Sequence, residues 1–148
     1  MIIIFIHYGS DKYDPAKFCP IKRHEFLSKP VGGLWGSPVD AEYGWKDWCE
    51  HNGLIHLLRD SSFKFRLSDT AKILYIRSVD DLVELPVIND EDMLFAPHIW
   101  IRLDFEQLLS DGIDAIQINM GGELYFKLYG WDCDSILVMN KDVIIPYD

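Results

Sequence analysis

Cysteine is scarce in this chain: Cys19, Cys49 and Cys133 are the three present, and no two of them form a C-x-x-C pair. An odd, scattered set excludes a disulfide framework and a zinc ribbon, and it implies buried, reduced thiols. Long apolar runs are also missing. None approaches the ~20 residues that span a bilayer, so no membrane partner is expected. The opening Ile2-Ile3-Ile4-Phe5-Ile6 lacks a basic lead-in and a cleavage site, and it is too short for a signal-peptide core. A cytoplasmic location is therefore the expectation. Basic charge is in short supply, with 14 Lys and Arg against 24 Asp and Glu for a net charge of −10. There is no Walker loop, no H-E-x-x-H, no G-x-S-x-G and no dinucleotide fingerprint. The five histidines show no metal-ligand spacing beside a Cys pair, so no metal site is expected.

What is present is apolar and aromatic material in the proportion of a folded protein. Of 148 residues, 49% are hydrophobic and 14% aromatic. That excludes general disorder and suits a single domain over residues 1–148. Charge is unevenly spread. Residues 1–29 carry a local +2, residues 30–79 balance, and residues 80–148 carry −12. The acidic half repels phosphate backbones and disfavours nucleic acid as a partner. The small basic N-terminal part can still meet a phosphate-bearing ligand.

The periodicity predicts short elements. Strands are expected at Ile2 to His7, Val31 to Pro38, Ser62 to Leu67, Ala71 to Ile76, Ile113 to Ile118, Ser135 to Met139 and Val143 to Ile145. Trp45, Trp48 and Cys49 fall at i, i+3 and i+4 and share one face of a helix over 41–51, with Asp40 as its N-cap and Asn52-Gly53 as its stop. Further short helices are expected at Val79 to Leu85, with a Ser78/Asp81 capping box, and at Asp104 to Leu109. Residues 11–30 read as a long ordered loop with one helical turn. Residues 87–98 read as an acidic loop, and Ile99 to Leu103 is ambiguous. Irregular alternation of this kind predicts an α+β fold around a split, mainly antiparallel β-sheet.

Three segments could carry chemistry. His7-Tyr8-Gly9-Ser10 places a polar ring where a buried strand surfaces; a satisfied strand-end histidine explains it equally well. Lys29-Pro30-Val31-Gly32-Gly33-Leu34-Trp35-Gly36-Ser37-Pro38 offers open backbone, a hydroxyl and a large π-face, a mixture that suits a flat heteroaromatic ring. A Gly-rich turn with a core Trp is the plainer alternative. In Gly130-Trp131-Asp132-Cys133-Asp134-Ser135, an extended chain would put Asp132 and Asp134 on one face. If that face lines a cleft, one acid orients a hydroxyl and the other stabilises positive charge. Turn capping at the start of a strand is the alternative.

In this order, the three segments resemble the ADP-ribosyltransferase superfamily. His7, followed by Tyr8-Gly9-Ser10, stands where that family has His-Gly-Ser or His-Gly-Thr on its opening strand. Gly33-Leu34-Trp35-Gly36-Ser37-Pro38 is similar to its Gly-Leu-aromatic-x-Ser/Thr strand, which a helix follows. Asp132-Cys133-Asp134 takes the place of its late Glu/Gln-x-Glu. Two departures stand out. Asp134 is one methylene shorter than the family's Glu, and the tyrosine pair of toxin-type members is absent unless Tyr43 and Trp45 serve. Lys29 to Trp48 with Tyr129 to Asn140 also resembles small proteins of bacteriophage genomes, which carry no settled activity. A phage-encoded chain would act in the bacterial host cytoplasm.

The resemblance implies a cleft that binds NAD as substrate and transfers ADP-ribose to a macromolecular acceptor, for which a host protein is the first choice. His7 and Ser10 would hold the adenosine ribose, with Tyr8 or Trp35 against the nicotinamide. The Gly32-Gly33 backbone would bond the carboxamide, and Ser37 would brace the pocket. Lys29 or Arg23 would meet the pyrophosphate. Asp134 would be the catalytic carboxylate, with Asp132 orienting the ribose or the acceptor. Two other classes remain open. One is a non-enzymatic, phage-type acidic inhibitor that blocks a host factor on a decayed form of the same fold. The other is a metal-dependent nuclease or hydrolase built on Asp114, Asp132 and Asp134.

Overall fold

A computed structural model describes residues 2–23, 28–88, 100–128 and 130–147. Its strands are β1 (Phe5–Tyr8), β2 (Leu34–Pro38), β3 (Ser62–Leu67), β4 (Ile73–Ile76), β5 (Ala115–Ile118), β6 (Ser135–Val138) and β7 (Ile144–Tyr147). Its α-helices are α1 (Trp45–His51), α2 (Phe105–Ser110) and α3 (Leu124–Lys127). Four single-turn 3-10 segments join them, at Pro15–Lys17, Ile55–Leu58, Val79–Leu82 and Lys141–Val143. The fold is α+β. The strands form one open sheet in the order β4-β5-β6-β2-β1-β3-β7, antiparallel throughout except for the parallel pair β4/β5.

Side-chain alternation explains the two cores. Along β6 every residue is buried. Leu137, with Met139 just beyond the strand, joins a cluster with Ile116, Ile118, Leu103, Leu124, Leu128 and Trp131. Ile136 and Val138 face the other way, into Phe5, Phe65, Leu67, Ala115 and Val143. A strand covered on both faces reads as a continuous apolar run, as Ile136-Leu137-Val138-Met139 does.

β2 is the unusual strand. Its C-terminal end pairs with β1, Ser37 opposite Ile6 and Pro38 opposite Phe5. Its N-terminal part pairs with β6, from Leu34 opposite Val138 to Gly36 opposite Ile136. β1 and β2 therefore splay beyond Ile6, toward His7 and Tyr8. The sheet was expected to be split; instead all seven strands join one continuous sheet, in which β1 and β2 part only locally. Gly36 sits at the change of partners without room for a side chain: a Cβ there would lie 2.9 Å from the Ile6 carbonyl oxygen and 3.0 Å from the Phe65 ring.

Several elements begin later than the periodicity predicts. The helix expected from residue 41 starts at Trp45, and Asp40 is not its cap. Instead the Asp47 carboxylate accepts from Gly44 N at 2.9 Å, and Ser37 Oγ accepts from Trp45 N at 3.0 Å. These acceptors satisfy first-turn amides that the helix itself cannot pair. The stop is as expected, with Gly53 at φ +70°. Asp81 accepts from Arg77 N and Ser78 N, as a capping box should, although the element it opens is a single 3-10 turn. Asp104 caps α2 through Gln107 N. α3 went unpredicted, because four residues are too few to show a helical period. The acidic loop expected over 87–98 falls mostly outside the described residues, while the ambiguous run from Ile99 to Leu103 is described from Trp100 and forms no helix or strand. Val87 and Leu103, at their ends, form a bridge. Cys49 and Cys133 are buried as expected, but Cys19 is exposed on the loop before β2. Among the described residues, no helix is long and apolar enough to cross a membrane.

Candidate functional site

The splay beside β2 opens into a cavity of about 510 Å³. β1 and its following turn contribute His7, Tyr8, Gly9 and Ser10; β2 contributes Trp35, Gly36 and Ser37; the approach to β6 contributes Trp131, Asp132 and Cys133. Lys29, Trp45, Leu57 and Arg59 complete much of its rim. Seven of the residues singled out from the sequence therefore meet around one hollow: His7, Tyr8, Ser10, Lys29, Trp35, Ser37 and Asp132.

The rings are held in place by hydrogen bonds. Trp35 Nε1 donates to the Gly32 carbonyl at 3.0 Å, and Trp131 Nε1 donates to the Ser28 carbonyl at 3.1 Å. The two indoles meet at 4.8 Å between centroids, tilted by 56°. Phe105 stacks on Trp131 at 6.1 Å. Paired aromatic rings of this kind add about 0.5–1.5 kcal/mol beyond the area they bury. They give the cavity a rigid apolar wall. Across the splay, His7 Nδ1 meets the Trp35 carbonyl oxygen at 2.6 Å, and the imidazole leans on Phe63 at 5.0 Å. Thus a side chain, not the backbone ladder, bridges β1 to β2 at this point.

Charge in the cavity is arranged around the rings. The Lys29 ammonium lies 5.4 Å from the centre of the Trp35 ring, within cation–π range. Asp132 is half-buried, and burial raises its carboxyl above the ordinary carboxylate range while the Lys29 charge pulls it back. Cys133 is 3% exposed, and burial raises its thiol despite contacts with the Ser135 and Ser37 hydroxyls. Tyr8 is raised as well, by burial first and then by Asp47 and Glu50 of α1.

The other candidates stand elsewhere. Asp134 does not line the cavity. Its Oδ1 accepts from Met120 N at 2.9 Å, and its own N–H donates to the Tyr43 carbonyl at 2.9 Å. The expectation that Asp132 and Asp134 share a face assumed extended chain. The strand begins only at Ser135, and residues 133–134 form a bend that turns the second carboxylate away. Gly32 and Gly33 also lie outside the cavity wall. The Gly33 N–H is spent on the Cys19 carbonyl at 2.8 Å and the Gly32 carbonyl on Trp35, so of the glycines in this segment it is Gly36 that lines the hollow. Arg23 lies in a separate small hollow beside Glu106, whose carboxylate accepts from its backbone N–H at 3.3 Å. Of the two residues considered in place of a tyrosine pair, Trp45 lines the cavity, while Tyr43 is exposed and holds Asp134 through its carbonyl. The Asp114 carboxylate accepts from Lys72 N and Asn140 Nδ2, each at 2.9 Å. Among the described residues, no three His, Cys, Asp or Glu side chains gather as metal ligands, which removes the support for the three-aspartate nuclease reading.

Sequence reasoning missed Arg59, Leu57 and Trp131 as lining residues. Arg59 and Leu57 come from a 3-10 turn that no motif announced. Trp131 adjoins Asp132 and was legible only as a neighbour. Comparison with known proteins leaves this geometry to be read on its own terms: no family model, curated protein or solved structure matches the chain.

Proposed function

We propose that this protein is an ADP-ribosyltransferase-like protein that binds NAD in the cavity beside β2 and transfers ADP-ribose to a macromolecular acceptor, a protein in first place. One observation carries the reading. The opening-strand histidine, the β2 indole and a late carboxylate, far apart in sequence, line one hollow of about 510 Å³. A cavity of that size falls in the range of small-molecule sites, and rigid rings with a few convergent polar groups suit a nucleotide.

NAD bound there supplies a ribose C1′ whose bond to nicotinamide can break, the electron pair leaving with nicotinamide. An acceptor nucleophile then forms the new bond to C1′ and loses a proton. The residues of this chain have distinct parts in that scheme. Trp35 and Tyr8 offer surfaces for the nicotinamide ring. His7 and Ser10 hold ribose hydroxyls at the splay, and Ser37 braces the floor while capping α1. Lys29 meets phosphate. Asp132, rather than Asp134, is the carboxylate placed to stabilise positive charge developing on the ribose, an interaction that strengthens as the bond breaks.

The test is incubation with NAD labelled in the nicotinamide or the adenylate, with and without a bacterial lysate as the source of acceptor. The expected outcome is nicotinamide release and transferred label, lost in Asp132→Ala and kept in Asp134→Asn. Failure of folded protein to bind NAD in calorimetry would overturn the reading.

A second reading is favoured by one observation. Asp134 is committed to backbone hydrogen bonds, and burial works against a charge on Asp132. A cavity that no longer performs transfer, on an acidic chain of net charge −10, suits a non-enzymatic inhibitor that blocks a host factor. That reading expects no nicotinamide release under any acceptor condition.

A further inference from the structure

We propose that Arg59 is an anion-holding residue of the cavity and that the cavity selects ligands carrying a diphosphate, the nucleoside diphosphates and the dinucleotides built on them. This rests on the preceding reading only in taking the cavity as the ligand site.

The first argument is charge. The whole chain carries −10, yet among the described residues this cavity is lined by two cations, Lys29 and Arg59, and one carboxylate, Asp132. Among the described residues, the Arg59 guanidinium takes part in no ion pair within 4.0 Å; the pair that forms is Lys46 with Glu50 on α1. A cavity wall with a cationic excess in an acidic protein is complementary to an anion. A planar guanidinium also offers two parallel donors to phosphate oxygens.

The second argument is backbone strain. Arg59 has φ +54°, and Asp60 after it has φ +51°. Asp tolerates this region, but a bulky side chain without local polar contacts is an outlier there. The conformation is fixed from both sides. Arg59 N donates to the His56 carbonyl and Ser61 N to the Leu58 carbonyl, while Gly9 N takes the Ser61 carbonyl at 2.9 Å and ties the turn to β1. Leu58 anchors the turn from below as a buried side chain. Glycine would relieve the strain at position 59. An arginine retained where glycine fits better, at the rim of a ring-lined cavity, points to a task for the guanidinium.

The third argument is the company it keeps. Lys29 belongs to the segment before β2 and Arg59 to the turn before β3, so the two cations reach the cavity from different elements. The aromatic wall stands in the same hollow. A ring surface and two cations match a nucleobase or nicotinamide joined to phosphates.

The experiment is calorimetry of the full chain and of Arg59→Gly and Arg59→Lys, with ADP, adenosine and NAD as the probes. ADP is expected to bind, with affinity about 10–100-fold weaker in Arg59→Gly, the loss for a charged hydrogen bond. Arg59→Lys should lose several-fold, because charge remains without the paired donors. Adenosine affinity should be the same in all three proteins. Arg59→Gly should melt at or above the unsubstituted protein's temperature, which shows that any lost affinity is not lost folding. No binding of ADP by the unsubstituted chain, or equal ADP affinity in Arg59→Gly, overturns the proposal. ADP binding that depends on Arg59 without NAD binding keeps Arg59 as the anion-holding residue, overturns the extension to dinucleotides and sinks the transferase reading. NAD binding that is indifferent to Arg59→Gly does the reverse.

Discussion

A carbonyl oxygen can only accept, so the 2.6 Å contact from His7 Nδ1 to the Trp35 carbonyl places the ring proton on Nδ1. That leaves Nε2 as the ring nitrogen free to meet a ribose hydroxyl, which can both donate and accept. Asp132 shows the opposite economy, a charge held where burial resists it. Its carboxyl is raised in the folded protein from an ordinary 3.8, so the folded state holds its proton more tightly than the unfolded chain does. Stability from this group is then full below about pH 3.8 and is lost as pH rises through the raised value. Asp132→Asn should therefore raise the melting temperature at neutral pH, and the gain should fade toward zero in acid. Melting curves from pH 3 to 8 check it, and a gain that persists or grows in acid would contradict the sign. At this scale the sequence was informative about residue types but not about direction. His7, Trp35 and Asp132 were legible because a strand end, a Gly-rich approach and an acid beside a buried strand each carry a chemical signature. Asp134 was not, because which way a carboxylate points depends on where extended chain begins, and residues 133–134 bend.

At the scale of elements, β2 does several jobs in five residues. It changes partners at Gly36, supplies Trp35 to the cavity, and caps α1 with the Ser37 hydroxyl. Ser37 is 2% exposed, so removing its oxygen leaves the Trp45 amide without that acceptor. Ser37→Ala should cost about 1 kcal/mol of stability, the typical loss of a helix cap, and loosen the Trp45 end of the rim. Urea unfolding measures the first effect. Fraying of α1 in hydrogen exchange, at Trp45 to Lys46 before the rest of the helix, measures the second. Strands were the most legible elements, since β3 alternates Phe63, Phe65 and Leu67 against Lys64 and Arg66. Helix starts were less so. Asp40 looked like a cap by sequence, but the Ser37 hydroxyl and the Asp47 carboxylate occupy the first-turn amides. A cap supplied from a neighbouring strand leaves no local pattern to read. The turn carrying Arg59 was illegible for a related reason: left-handed backbone at Arg and Asp is imposed by contacts at both ends, not by the residues themselves.

At the scale of the whole molecule, a ligand that binds only the folded chain adds stability by mass action. At 100 times its dissociation constant the gain is about 2.7 kcal/mol. For a chain of 148 residues that corresponds to a rise in melting temperature of about 5–10 °C. NAD should produce such a shift if the cavity accepts it, and thermal melts across an NAD titration read it directly. No shift at millimolar NAD is the outcome the inhibitor reading expects. The α+β class and the mainly antiparallel sheet were legible in the pattern of short alternating runs. The strand order was not, because nothing local says that β6 will lie between β2 and β5, nor that β4 and β5 will run parallel.

Because β2 takes up with one neighbour at its tail and with another at its head, the array has an unzipped seam along the β1 side of Leu34 and Trp35. Across it the imidazole of His7 reaches the Trp35 carbonyl oxygen. A guest that bonded both strands there would add a second tie beside that single side-chain contact, so occupancy would hold β1 and β2 more firmly together.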